Sequence, residues 1–588
     1  MADHTSEYWN MTGRRYSRRR VLSATGALGM GLAGAALIGC GGGKSGGTEP
    51  AGAITRAGSV APATPVDEKP KRGGTWRLAR VNDPPTLDPF GNLSGDTKSV
   101  AGTVYSRLLA YEHGPGKAKI SFDTIPDAAQ SMEIVSAADY VLKLNPKVKY
   151  TAPISRQMTS ADVKFSYDRL IGKVSGTAIG PDAGVVEAVS DLLTPDAQTV
   201  QFKLKRKFGA FPAVLADSRS GMIMPIETGK AFDPAKTMVG SGPWLFKEYR
   251  PGSVATYTRN PDWHLGPDMP YFDALEQYII KETATQLTQF LGGNVDTVAL
   301  EPAGIKRAQE SIKGVQIIEN DVGNTRYIVF SKNQLASGPV KDVRVRRAIS
   351  MALNRDQILD SAFGYPELKA LGVASNYDWT TFIPQSHKGY WLDPKKEMSA
   401  TNAGYLKYNT AEAMKLLDAA GFKDGFSMDW HWTRGYAQSY QTQGELISQF
   451  LKAVKIDFKN VIDDYASVFI PQTFVGKFEG AALISYTLGE TGNFVEAPFT
   501  PGLPRNVSGI NDAKLNALVT TYKEAASADE RKKLMKDMQE LATETMYYVP
   551  IPLGPSYSGL QPNARGVIEY RSQGHAASIQ DTPWWWKA

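Results

Sequence analysis

The chain has 588 residues, 42% hydrophobic and 21% charged, with 66 Lys/Arg against 60 Asp/Glu and a single cysteine. Residues 1–72 hold 10 of those bases and 5 of those acids, so the rest of the chain carries 56 against 55. A body so nearly neutral excludes nucleic acid as the expected partner, since that partner needs a concentrated basic face, and one cysteine excludes an internal disulfide framework.

The first predicted element is a leader. Arg14, Arg15, Arg18, Arg19 and Arg20 precede a Gly/Ala-rich apolar stretch from Val21 to Ile38, and Leu37-Ile38-Gly39-Cys40 closes it. A basic start, an apolar middle and small residues at the end make up a secretory signal. Ser17-Arg18-Arg19-Arg20-Val21-Leu22 resembles the twin-arginine export motif, with Arg18 and Arg19 as its pair. Residues 37–40 resemble a lipobox, which makes Cys40 the lipid-bearing residue. The competing reading is a transmembrane anchor followed by a buried cysteine, but the stretch is only about long enough to span a bilayer and is poor in bulky apolar residues. Both readings put the body outside the cytoplasm, in the periplasm or at the cell surface.

Residues 41–72 are rich in Gly, Ala, Pro and Thr and are expected to form a flexible tether. Composition turns globular at Arg72-Gly73-Gly74-Thr75, and no later run is long and apolar enough to span a membrane. At roughly 150 residues per domain, the globular remainder of the chain makes two or three domains.

Thr159-Ser160-Ala161-Asp162 has a hydroxyl at the N-cap and a carboxylate three residues on, a capping-box variant that opens a helix burying Val163, Tyr167 and Leu170. In Asp342–Leu353 the residues Val345, Ala348, Ile349, Ala352 and Leu353 form one core-facing stripe, which leaves Arg344, Arg346 and Arg347 on the other side. Glu445–Val454 forms a third helix, and Ser527-Ala528-Asp529-Glu530 caps a fourth that runs toward Met546. β-Branched and aromatic runs such as Thr325–Phe330 and Tyr547–Ile551 lie between them and predict strands. Interleaving of this kind predicts a mixed α/β or α+β architecture, and no internal repeat is present.

Catalytic and metal signatures are sparse. His4, His113, His264, His387, His431 and His575 include no pair at helical ligand spacing, so neither a metal nor a cofactor is expected. Gly43-Lys44-Ser45 lacks the upstream glycine and the preceding strand of a phosphate-binding loop. No Gly-x-Ser-x-Gly elbow occurs in the body, and Asp463-Asp464 reads as solvated surface rather than acid/base machinery. The chain is therefore not expected to be an enzyme.

Several segments, in one order, resemble the family 5 extracellular solute-binding proteins, the receptors of peptide and nickel ABC importers. They are Arg72-Gly73-Gly74-Thr75-Trp76-Arg77, Pro85-Thr86-Leu87-Asp88-Pro89, the stretch from Thr159 to Leu170, and Gly240-Ser241-Gly242-Pro243-Trp244. Asp342-Val343-Arg344-Val345-Arg346-Arg347-Ala348-Ile349 with Asn354-Arg355, and the stretch from Glu445 to Lys452, complete the set. The resemblance implies a two-lobed, periplasmic-binding-protein-like clamp of the large peptide-binding type with a discontinuous first lobe. Its expected layout is a signal peptide (1–40), a tether (41–72), lobe I with a subdomain (73–320), lobe II (321–546) and a return to lobe I (547–588). The crossings are expected near Ile317–Phe330 and Tyr547–Ile551, with Trp584-Trp585-Trp586 back on the first lobe.

The implied activity is capture of a peptide or similar small solute by hinge closure, then delivery to a permease and ATPase, by a monomer held at the membrane through Cys40. A surface sensor or adaptor without a transport role, and an oligosaccharide receptor, are the alternatives. Peptide-binding members carry an aspartate three positions after an aromatic residue to hold the ligand ammonium. Here Ser485-Tyr486-Thr487-Leu488-Gly489-Glu490 has glycine at that place, so Glu490 takes over the role or the ligand lacks a free amine. In Trp430-His431-Trp432-Thr433-Arg434-Gly435-Tyr436, Arg434 falls where dipeptide-binding members place an arginine for the ligand carboxylate. Trp430, Trp432, Tyr436 and Tyr486 are the candidate aromatic walls; the competing reading puts both tryptophans in the core and Arg434 on the surface.

Overall fold

The computed structural model describes residues 54–57, 69–114, 123–266, 268–320, 322–372, 378–487, 491–525, 527–567 and 577–588, all within the compact unit Ala51–Ala588. Arg18, Arg19, Cys40 and Glu490 lie outside the described residues. No helix among the described residues is long and apolar enough to cross a membrane.

Two sheets organise the molecule. In chain order the strands of the three larger sheets are β1 (Ile54–Ala57), β2 (Thr75–Arg80), β3 (Ala129–Ser136), β4 (Asp139–Leu144), β5 (Val189–Asp196) and β6 (Thr199–Leu204). They continue with β7 (Trp244–Arg250), β8 (Val254–Arg259), β9 (Ala274–Ile279), β10 (Thr297–Leu300) and β11 (Gln316–Asn320). The last are β12 (Asn324–Phe330), β13 (Phe426–Thr433), β14 (Ile456–Asp463), β15 (Ala481–Thr487), β16 (Val549–Ile551) and β17 (Ser556–Leu560). The first sheet has eight strands in the order β1-β11-β17-β10-β2-β9-β8-β7, and the second has five in the order β14-β13-β15-β12-β16. Strands β3-β4-β6-β5 form a separate four-stranded sheet.

The chain crosses from the first sheet to the second between Asn320 and Asn324 and returns between Ile551 and Ser556. The second crossing lies next to Tyr547–Ile551, and the return to the first sheet starts after Ile551 and not at residue 547. Val549, Pro550 and Ile551 lie against Ile328, Tyr327 and Arg326, so β16 completes the second sheet before the chain leaves it. Strand β17 inserts between β10 and β11, which makes the first lobe discontinuous. Part of the expected tether is also strand: Ile54–Ala57 runs parallel to Ile317–Asn320 and covers an edge that would otherwise expose unpaired backbone groups.

Cores lie on both faces of the second sheet. Along β12, Ile328 and Phe330 enter one cluster, with Trp430, Trp432 and Leu483, while Tyr327 and Val329 enter another, with Phe382, Ile484 and Tyr486. A strand buried on both faces reads as a continuous apolar run, which is why Thr325–Phe330 is legible as a strand but not as a single-faced one. The first lobe has its own core around Trp76, Tyr105, Phe202 and Leu275, onto which Trp585 folds with its ring 5.4 Å from that of Trp76.

The family-like segments are scaffold. Helix α1 (Gly95–Gly102) is capped by Ser94, and α2 (Ser160–Leu170) opens with the capping box Thr159/Asp162. Arg169 in α2 ion-pairs with Asp88, tying two of those segments together. A Cβ at Gly240 or Gly242 would stand 2.2 or 2.5 Å from the Val104 carbonyl oxygen, so that turn requires glycine at both positions. Helix α3 (Val343–Met351) buries its apolar stripe, but Arg346 does not join Arg344 on the solvent side. It is 5% exposed, and its guanidinium donates to the carbonyls of Val340, Lys341, Thr545 and Met546. Helix α4 (Gln438–Lys452) starts seven residues before the predicted Glu445, and α5 (Ala528–Thr545) is capped by Ser527 as its sequence predicts.

Candidate functional site

The two lobes meet along a polar seam that begins in the loop after β2. Asn82 Nδ2 donates to the Gly435 carbonyl (2.5 Å), and Tyr465 of the second lobe reaches the start of α1. The Tyr465 hydroxyl donates to Asp96 Oδ2 (3.1 Å) and therefore accepts from Ser94 Oγ (2.9 Å). Asp96 is held in turn by Arg80 at 2.8 Å. The close approach has a local cause: Gly435 turns beside Tyr465, where a Cβ would come within 2.5 Å of the Tyr465 Cβ.

A second contact is charged and deeper. Asp182 of the first lobe is 3% exposed, lies 3.1 Å from Lys98 Nζ and accepts from Arg505 of the second lobe at 3.4 Å. The Arg505 guanidinium lies over the rings of Phe474 (5.6 Å) and Tyr486 (5.7 Å), and burial lowers its pKa. Arg219, paired with Asp217 at 2.7 Å, joins Asp182 and Arg505 around a recess of about 330 Å³ between residues 181–185 and 493–505. Nearby, Lys523 bridges Glu187 of the first lobe (3.3 Å) and Glu496 of its own.

Aromatic residues connect the two contacts. Tyr436 is half-buried, with its ring 4.9 Å from Tyr440 and 5.5 Å from Tyr465. Burial is the main reason its phenol pKa is raised; Asp96 adds to this, while Arg326 and Arg505 oppose it. Tyr436 thus stands within electrostatic reach of both lobes.

The residues nominated from sequence fall in different places. Trp430 and Trp432 are 0% and 2% exposed; their indole N–H groups donate to the Gly444 carbonyl and to Asn460 Oδ1, both at 2.8 Å. They are core side chains of the second lobe and form no wall of the seam. Tyr486 is also fully buried, with its hydroxyl on the Arg505 carbonyl (2.8 Å), and borders the seam through the guanidinium stacked on it. Arg434 is exposed on the turn after β13, next to Gly435 and hence at the rim. Asp463 is buried, not solvated, accepting from Thr473 and lying 3.2 Å from His431 Nδ1.

Sequence reasoning did not single out Arg326, Arg505, Asp182 or Tyr465. One signal was present, because an arginine inside Thr325–Phe330 is a charge in an otherwise buried strand. Arg505 and Asp182 sit in loops 323 residues apart in the chain, and no local pattern marks them. Among the described residues no group of three or more His, Cys, Asp or Glu side chains could hold a metal ion.

The model of the bacterial extracellular solute-binding proteins, family 5, middle region, matches residues 123–482. Di/tripeptide-binding protein 3 of Pseudomonas aeruginosa (strain UCBPP-PA14) is 24% identical over 518 residues, covering 83% of this chain and 90% of the relative. The oligopeptide-binding protein AppA of Bacillus subtilis (strain 168) is 24% identical over 364 residues, 60% of this chain and 61% of that one. Among solved structures, the ABC transporter-associated periplasmic binding protein DppA from Helicobacter pylori, in complex with peptide STSA, matches with a TM-score of 0.75 at 18% identity, over 88% of this chain and 98% of that one. AgaA from A. tumefaciens R10, in complex with agropinic acid, matches with a TM-score of 0.74 at 20% identity, over 88% and 99%. At such identities these structures establish the two-lobed fold, while the family model spans more than half of the sequence. The chain belongs to the bacterial extracellular solute-binding proteins of family 5.

Proposed function

We propose that the protein is the extracytoplasmic receptor of an ABC importer, enclosing a peptide or similar small solute between its lobes and delivering it to a permease and ATPase. The observation that carries the reading is the seam itself. Asn82–Gly435, Ser94–Tyr465–Asp96 and Asp182–Arg505 join the lobes through polar groups, and each contact is made only when the lobes touch. Such contacts bias a two-state clamp toward closure, and a solute bound by both lobes adds to that bias. Relatives named for dipeptides, tripeptides and oligopeptides support a peptide as the solute.

In this reading Arg18 and Arg19 direct export, and a lipid on Cys40 holds a monomeric clamp at the membrane. The rim residue Arg434, the half-buried Tyr436 and Glu490 are candidate ligand contacts.

A thermal-shift screen of the purified protein tests the proposal. Di- to pentapeptides, oligosaccharides and metal chelates are compared at fixed concentration. A peptide at a hundredfold excess over its Kd is expected to stabilise the fold by roughly 2.7 kcal/mol. Stabilisation by oligosaccharides alone moves the receptor to another solute class, and no response to any solute removes the receptor reading.

A further inference from the structure

Ile54–Ala57 lies in the stretch whose composition marks a tether, yet it pairs along its whole length with β11. Ile54, Thr55, Arg56 and Ala57 stand opposite Ile317, Ile318, Glu319 and Asn320 in a parallel ladder. Ile54-Thr55 is the only adjacent β-branched pair between residues 41 and 72, which is the local reason a strand starts there.

The partner strand leads into the crossing between the lobes. β11 ends at Asn320, where the chain leaves for the second lobe, and its other side carries β17, the strand on which the chain returns. Ser556 lies opposite Asn320 on that side, so Ala57, Asn320 and Ser556 form one row across the sheet at the crossing. Strands β1, β11 and β17 thus make up one edge of the first sheet, and β1 ends level with the crossing. Without β1 the outer backbone groups of β11 would form an unpaired edge beside it.

Covalent geometry gives this pairing a consequence. Ile54 is fourteen residues from Cys40, whereas Thr75, the start of β2, is thirty-five residues from it. A chain extends by at most about 3.5 Å per residue, so the first span cannot exceed about 50 Å and the second about 120 Å. Residues 58–74 are long enough to cover the four strand spacings from β1 to β2, about 19 Å.

We propose that Ile54–Ala57 is a strap that fixes the membrane tether to the crossing edge of the first lobe, so that residues 41–53 alone set the reach of the clamp. Residues 58–74 then add nothing to that reach. The strap stays within about 50 Å of the lipid on Cys40, which holds captured solute close to a membrane-embedded partner. The inference rests on the receptor reading for the lipid, while the pairing of β1 with β11 does not depend on it.

Two measurements test the strap. In a Cys40→Ser background, Ala57→Cys with Asn320→Cys puts two thiols on register partners. Neighbouring strands stand about 4.8 Å apart, inside the Cα range that a disulfide spans. Ile54→Cys with Asn320→Cys is the control, displaced roughly 10 Å along the strand. Under mild oxidation the first pair is expected to close at least about tenfold faster than the second. Equal rates, or no closure of the first pair, overturn the strap.

The second measurement uses the lipidated full-length protein on vesicles of phosphatidylcholine and phosphatidylglycerol that carry a membrane dye. A second dye sits on Glu133→Cys, an exposed position of the first lobe, and the lipid blocks Cys40 from labelling. Twelve Gly/Ser residues are inserted after Pro50 in one variant and after Val60 in another. The first insertion raises the limit of the tether to about 90 Å and is expected to lower energy transfer about twofold; the second is expected to leave it unchanged. Equal falls in both variants, or no fall in either, overturn the inference. Crosslinking in register without vesicle binding removes the lipid anchor from the receptor reading, and leaves the strap as the cover of the crossing edge.

Discussion

Arg346 and Arg347 are neighbours on one helix with different physical roles. Arg346 closes the C-terminal end of α5, where the last carbonyls have no partner within the helix. Arg347, half-buried, donates only to the Glu544 carbonyl and lies 4.2 Å over the Tyr405 ring. Arg346→Ala is expected to cost about 3 kcal/mol, since four carbonyls lose a charged donor in the interior. Arg347→Ala should cost less than half as much; urea unfolding of the two variants measures the contrast, and equal losses would remove the role given to Arg346. The three arginines are alike in sequence, and which one is buried depends on where α5 ends, about 200 residues away. The alternation of Trp430 and Trp432 places them on one face of a strand, but that this face meets Gly444 of α4 rather than a ligand is a packing fact.

The capping box of α2 shows the same thing at the scale of an element. Thr159 and Asp162 are readable as a helix start, and Asp162 accepts from the Thr159 N–H at 2.8 Å. The fold adds more: Asp162 is fully buried, accepts from the Ile226 N–H at 3.0 Å and ion-pairs with Arg156 at 2.6 Å. Asp162→Ala would leave part of Arg156 and two backbone donors uncompensated. A loss of about 3–5 kcal/mol is expected, the range for breaking a buried pair, and a loss near 1 kcal/mol in the same unfolding measurement would mean that only the cap is at work. The segment's family resemblance thus reflects a joint between α2 and the turn before Ile226, and its residues lie away from the seam.

Acid sensitivity belongs to the whole molecule, because Glu187 and Lys523 come from different lobes. Burial opposes ionisation of Glu187, but Arg206 and Lys523 outweigh it and hold the carboxyl below its ordinary value. A carboxyl lowered in the folded state stabilises the fold fully above its unfolded pKa of about 4.3 and loses that contribution as pH falls through the folded value. The Tm difference between wild type and Glu187→Gln should therefore be present at pH 7 and shrink as pH falls below the unfolded value; a difference independent of pH would show that the interlobe pair contributes nothing through its charge. By itself the sequence determined the mixed α/β class, the helix starts at Thr159, Asp342 and Ser527 and the family, because caps, periodicity and collinear segments are local properties of the chain. Only the tertiary structure decided that β16 belongs to the second sheet, that Trp430 and Trp432 are core, and that Arg326 is buried while Arg505 meets Asp182. Those outcomes depend on which distant surfaces exclude water from a side chain and which charges they bring to it, and neither is encoded within a few residues of the position concerned.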